Sequence, residues 1–116
     1  MSSGGMETPE LSELAGLPIE LRRGGEPWVT SVVARSSNGD EVRFTWDEIA
    51  AAVHVRWDSG SLCLLTLERE SIAKVSVRQR GDEVLLEAVM RESDLEGTTV
   101  VVVGDRIAVT DSVLRV

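Results

Sequence analysis

The chain has 116 residues, 28% of them charged, with a formal net charge of −8 and a single cysteine. That length suits one domain with one core and no metal staple, and one cysteine excludes an internal disulfide. The acidic balance argues against general binding to nucleic acid or to an anionic membrane, and no apolar run approaches the ~20 residues of a membrane span.

Residues 1–7 read as a disordered tail and residues 8–116 as a single domain. The tail has neither the basic nor the apolar region of a signal peptide, so a cytoplasmic location is expected. In TPELSELAGLP, Thr8 is the expected N-cap and Pro9 the first helical residue; Gly16 and Pro18 stop the helix. So short a helix is marginal and needs a surface to pack on. RRGGEP follows as a turn.

From Trp28 the pattern changes to strands. WVTSVVAR, Trp28 to Arg35, is β-branched. EVRFTW alternates, with Val42, Phe44 and Trp46 on one face and Glu41, Arg43 and Thr45 on the other. Asn38-Gly39 between them signals a type I′ hairpin turn, in which both central residues take positive φ.

The stretch FTWDEIAAAVHVRWDSG carries two periods at once. Trp46, Ile49, Ala50, Val53 and Trp57 share one helical face. Thr45 can cap it, and Asp47 and Glu48 suit a helix N-terminus. Val53, Val55 and Trp57 also alternate as a strand would. The Ala50–Ala52 run tips the expectation to a short helix from about Trp46 to about Val53, after which the chain runs extended up to DSGS.

Beyond Gly60 everything reads as strand. SLCLLTLE is apolar on both faces, which predicts a central, covered strand with Cys63 in the core. IAKVSVRQR pairs with EVLLEAVMR through the turn at Arg80 to Asp82. SDLEG turns into TTVVVV, and GDR turns that into IAVTDSVLRV. The expected fold is α+β: a single-domain antiparallel β-meander of about seven strands. One short helix is inserted after the second strand, and a marginal N-terminal helix precedes the first. If the ambiguous stretch is strand throughout, an all-β barrel or sandwich is the alternative.

Little in the chain supports catalysis. His54 is the only imidazole, and Cys63 lies in an apolar run, so no triad is expected. No metal-ligand spacing and no phosphate-binding loop are present, and no cofactor is expected. The RGD tripeptide reads as turn chemistry. The best binding candidates are Trp28, Trp57, Arg56 and Asp58, with Asp47 and Glu48, because exposed Trp and Arg are frequent in interfaces.

The expected role is therefore non-enzymatic. A small acidic protein would bind another protein, a basic one, as a toxin-neutralising (immunity- or antitoxin-like) factor or as an accessory subunit. The alternative is a small ligand-binding or enzyme domain with a cavity between helix and sheet, lined by His54, Asp47, Glu48 and Trp57. A homodimer through an edge strand, TTVVVV or the terminal VLRV, is a further expectation.

Overall fold

The structure, a computed structural model, describes residues 6–23 and 25–115. Residues 1–5 of the expected tail lie outside the described residues. Glu7, the last residue of that tail, forms a parallel bridge to Lys74.

The chain forms nine strands and one four-residue helix, α1 (Leu11–Leu14). Strands β1 (Glu20–Arg23), β2 (Val29–Arg35), β3 (Glu41–Asp47), β4 (Ala52–Ser59) and β5 (Leu62–Arg69) make one antiparallel sheet in chain order. Strands β6 (Ile72–Arg80), β7 (Glu83–Glu92), β8 (Leu95–Val103) and β9 (Ile107–Arg115) make the second in the same way. The protein is thus nearly all-β, two meander sheets of five and four strands rather than a closed barrel.

The inner faces of both sheets meet in one core. Val32, Val42, Phe44, Trp46, Val53 and Val55 come from the first sheet, and Ile72, Val75, Leu86, Ala88, Val101 and Ile107 from the second. Phe44 and Trp46 pack edge to face, with ring centroids 6.3 Å apart. Each of these large buried side chains contributes on the order of 1.5–3 kcal/mol through area removed from water.

Several expectations need correction. The inserted helix is absent: Trp46 and Asp47 end β3, Glu48 to Ala51 turn, and Ala52 begins β4. The acidic start signal is used by a turn instead, because the Asp47 carboxylate accepts the N–H groups of Ile49 (3.0 Å) and Ala50 (2.9 Å). Ile49, expected in the core, is 72% exposed. The strand period of Val53 and Val55 prevails because β4 pairs on both sides, with β3 and β5.

The strand count rises from seven to nine because β4 replaces the helix and β1 forms where a turn was expected. β1 has no apolar alternation of its own; it is held by its register with β2, Glu20 opposite Val33 through Arg23 opposite Thr30. Cys63 is exposed, since β5 is the outer strand of its sheet and not a central one. TTVVVV lies in β8 between β7 and β9, so it is not an edge, whereas VLR lies in β9, which is.

The Asn38-Gly39 hairpin forms in a different turn. Only Gly39 has positive φ (94°), the Gly39 N–H donates to the Ser36 carbonyl, and Ser36 pairs with Asp40. That is a three-residue loop with a left-handed glycine, in which Asn38 instead accepts the Asp40 N–H through its side chain.

Candidate functional site

In a meander, alternate turns fall at the same end. The turns around Gly39, Gly60 and Gly81 lie at one end, and those around Ala51, Ser71 and Ser93 at the other. Hydrogen bonds between the sheets fix this alignment: Ser37 N–H to Gly104 C=O at the first end (2.9 Å), Ile72 N–H to Ala51 C=O at the second (2.9 Å).

The two ends are built differently. At the first, every left-handed residue among those described is glycine: Gly39, Gly60 and Gly81. At the second, the left-handed positions are Ala51 (φ 52°), Ser71 (φ 58°) and Ser93 (φ 54°). A side chain in that region costs roughly 1–2 kcal/mol, so one end of the sandwich holds all three strained turns.

The same end gathers carboxylates. Asp47 closes β3, Glu48 is in the next turn, Glu68 lies near the end of β5, Glu70 follows it, and Glu92 ends β7. None of these five has an ion-pair partner among the described residues. Arg69 and Arg91, the nearest in sequence, are engaged by Asp111 and Glu96. The Ser71 hydroxyl donates to Glu92 (2.6 Å), and the Ser71 carbonyl accepts the Arg91 N–H (3.0 Å), so the loops are cross-tied.

A shallow groove of about 280 Å³ runs along this end, lined by Asp47, Ala50, His54, Glu68 and Glu70 among others. His54 is half-buried there, on the outer face of the sheet, opposite Thr45 and Glu68. A separate open cleft of about 480 Å³ lies between the α1 segment and the sheet, lined by Glu10, Leu11, Arg23, Thr30, Trp46 and Glu48. Among the described residues no group of three or more His, Cys, Asp or Glu is placed to hold a metal ion.

The sequence candidates divide between two places. Asp47, Glu48 and Trp28 come together at the acidic end, where the Trp28 carbonyl accepts the Glu48 N–H (2.9 Å). Arg56, Trp57 and Asp58 lie further along β4, towards the glycine end. Arg56 donates through Nε to both oxygens of Asp58 (3.0 and 3.1 Å) on the outer sheet face, and that carboxylate raises the pKa of the guanidinium further. Trp57 turns inward, half-buried against the core, and its indole N–H donates to the buried carboxylate of Asp40 (3.1 Å). The cavity expected against the inserted helix has no such wall, and Trp57 does not line the groove that holds His54 and Asp47.

Glu68, Glu70 and Glu92 were not among the candidates. Glu68 and Glu70 join Asp47 in one groove because β5 lies beside β4, and Glu92 comes to the same end with the turn after β7. The signal available was three turns lacking glycine where the alternate turns have it.

No protein-family model and no curated protein matches the sequence. A solved structure does match in fold: a chain of a contact-dependent growth inhibition toxin–immunity protein complex from Klebsiella pneumoniae 342. The TM-score is 0.70 at 14% sequence identity, over 94% of this chain and 97% of that one.

Proposed function

We propose that this protein binds a protein toxin and neutralises it, as an immunity protein does, by presenting its acidic end to a basic surface. The observation that carries the reading is the set of five unpaired carboxylates, Asp47, Glu48, Glu68, Glu70 and Glu92, brought to one end of a rigid sandwich. Like charges held together repel one another, and a cationic partner relieves that repulsion as it docks. The fold likeness to a chain of a toxin–immunity complex supports the same class of role.

The role is non-enzymatic and cytoplasmic in this reading. Long-range attraction from a molecule of charge −8 raises the association rate, which matters to a protein that must capture a toxin before it acts. Exposed Ile49, at the tip of the acidic turn, supplies an apolar contact at the centre of the charged rim.

Co-expression with a cognate toxin domain tests the proposal. The wild-type chain should restore growth and co-purify with the toxin, and association should slow as salt rises. Glu48→Lys combined with Glu70→Lys, at two exposed side chains, should abolish both without lowering the denaturation midpoint. Full protection by that double variant would overturn the assignment of the acidic end.

A small-ligand role has one observation in its favour, the cleft beside α1 with Trp46 and buried Thr30 in its wall. A metabolite screen by thermal shift would reveal it as a raised melting temperature.

A further inference from the structure

Two polar groups on the first sheet are almost out of water and yet have no partner. Thr30 is 5% exposed and Trp46 2%. Neither the Thr30 hydroxyl nor the Trp46 indole N–H forms a hydrogen bond with any described residue. Sealed inside, such groups would destabilise the fold, and among the described residues no enclosed side-chain nitrogen or oxygen lacks a partner. Both groups therefore open onto the space that both residues line, the cleft between the α1 segment and the sheet.

The register sets them side by side. Arg23 on β1 lies opposite Thr30 on β2, and Thr30 opposite Trp46 on β3, in one row across strands about 4.8 Å apart. The floor of the cleft thus offers two neutral donors. Its rim is charged. Glu10 and Glu48 are exposed and have no ion-pair partner among the described residues. Arg23 is the one cation in the lining, and its guanidinium already donates to the Pro27 carbonyl (3.1 Å). Leu11, 47% exposed, adds an apolar wall. A volume of about 480 Å³ with a few placed polar groups suits a bound ligand.

We propose that the cleft takes a turn of the partner toxin. A backbone carbonyl of that turn enters and accepts from Trp46 and Thr30. A basic side chain beside it stays at the mouth, its charge against Glu10 and Glu48 and its methylene stem over Leu11. Neutral donors at the floor favour a neutral carbonyl, because a carboxylate there would lose its water and face two carboxylates at the rim. Glu48 also belongs to the acidic end, so a cationic protein drawn there meets the mouth of the cleft. The identity of the partner rests on the toxin reading, and the cleft goes to that partner rather than to a metabolite. The test below uses no toxin, so the two fail separately: the probe can stay unbound while Glu48→Lys with Glu70→Lys still abolishes protection, and the reverse.

Titration of the full-length chain with acetyl-arginine amide, followed by NMR at the indole N–H signals of its three Trp, tests the proposal. The Trp46 signal should move and saturate in the millimolar range. The Trp57 signal, tied to Asp40 near the glycine end, should stay in place. Acetyl-citrulline amide, the neutral counterpart, should bind at least about threefold more weakly. Thr30→Val and Glu48→Gln should each weaken binding of the arginine probe about three- to tenfold. Thr30→Val should not lower the denaturation midpoint, because its hydroxyl has no partner to lose. If it does, Glu48→Gln, at an exposed side chain, decides. A Trp46 signal that stays still through about 100 mM probe, equal binding of the citrulline probe, acetate moving the signal as the arginine probe does, or binding indifferent to Glu48→Gln or to a stable Thr30→Val overturns the proposal.

Discussion

The guanidinium of Arg69, at the end of β5, holds the carboxylate of Asp111 on β9, 42 residues further along the chain. Both strands are sheet edges, so this ion pair ties the rim of one sheet to the rim of the other. The buried hydroxyl of Thr99 donates to the same carboxylate (2.6 Å).

The tie should be visible in the pH dependence of stability. The Arg69 hydrogen bonds, helped by Thr99 and opposed by partial burial, hold the Asp111 pKa below its ordinary value of 3.8. A depressed carboxyl pKa stabilises the fold above the unfolded value, and the contribution disappears as pH falls through the folded one. Asp111→Asn should therefore cost about 0.5–1.5 kcal/mol in urea at neutral pH, after allowing for solvent screening. The gap to wild type should close as the pH is taken below about 3.8. A gap that stays constant into acid would show that the charge contributes nothing.

The strained turns make an opposite pair of predictions. Ala51→Gly and Ser93→Gly should each stabilise by about 0.5–1 kcal/mol, because relief of the left-handed side chain exceeds the added freedom of the unfolded chain. Gly39→Val, at φ 94°, should destabilise by about 1 kcal/mol or more. Chemical denaturation midpoints check all three.

Ile49 and Phe44 separate the observed turn from a helix. Ile49→Ala removes a side chain that is 72% exposed and should change stability by less than about 0.5 kcal/mol. Phe44→Ala empties a fully buried site and should cost about 3–5 kcal/mol. A severe Ile49→Ala variant would restore the helical face drawn from Trp46, Ile49 and Val53.

Cys63 offers the quickest test of the sheet order. On an outer strand it is exposed, so a thiol reagent should label the native protein nearly as fast as the unfolded one. Slow native labelling at low concentration would return β5 to the interior.

How far the fold was legible follows from which contacts each element needs. The alternation of Val42, Phe44 and Trp46 is local, and so are the turn residues at Gly39 and Gly81; those hairpins were readable from the chain. β1 was not, because Glu20 to Arg23 has no pattern and owes its conformation to β2. The end of β3 and the turn before β4 were misread as helix because Val53 and Trp57 satisfy both periods, and only the flanking strands decide between them; the extended run after Val53 was legible. SLCLLTLE was read as doubly buried, yet apolarity on both faces also describes an unguarded edge. The acidic end was half legible: Asp47 and Glu48 are neighbours in sequence, but Glu68, Glu70 and Glu92 join them only through tertiary structure.

The order of strands in both sheets follows the order of the chain. Each strand therefore finds its partners among its immediate neighbours, which keeps contact order low for a β protein and favours fast folding. The pairing also suits vectorial synthesis. A nascent chain that has emerged only through β5 already contains every strand the first sheet pairs with. The second sheet, arriving later, covers the apolar face of a platform already paired.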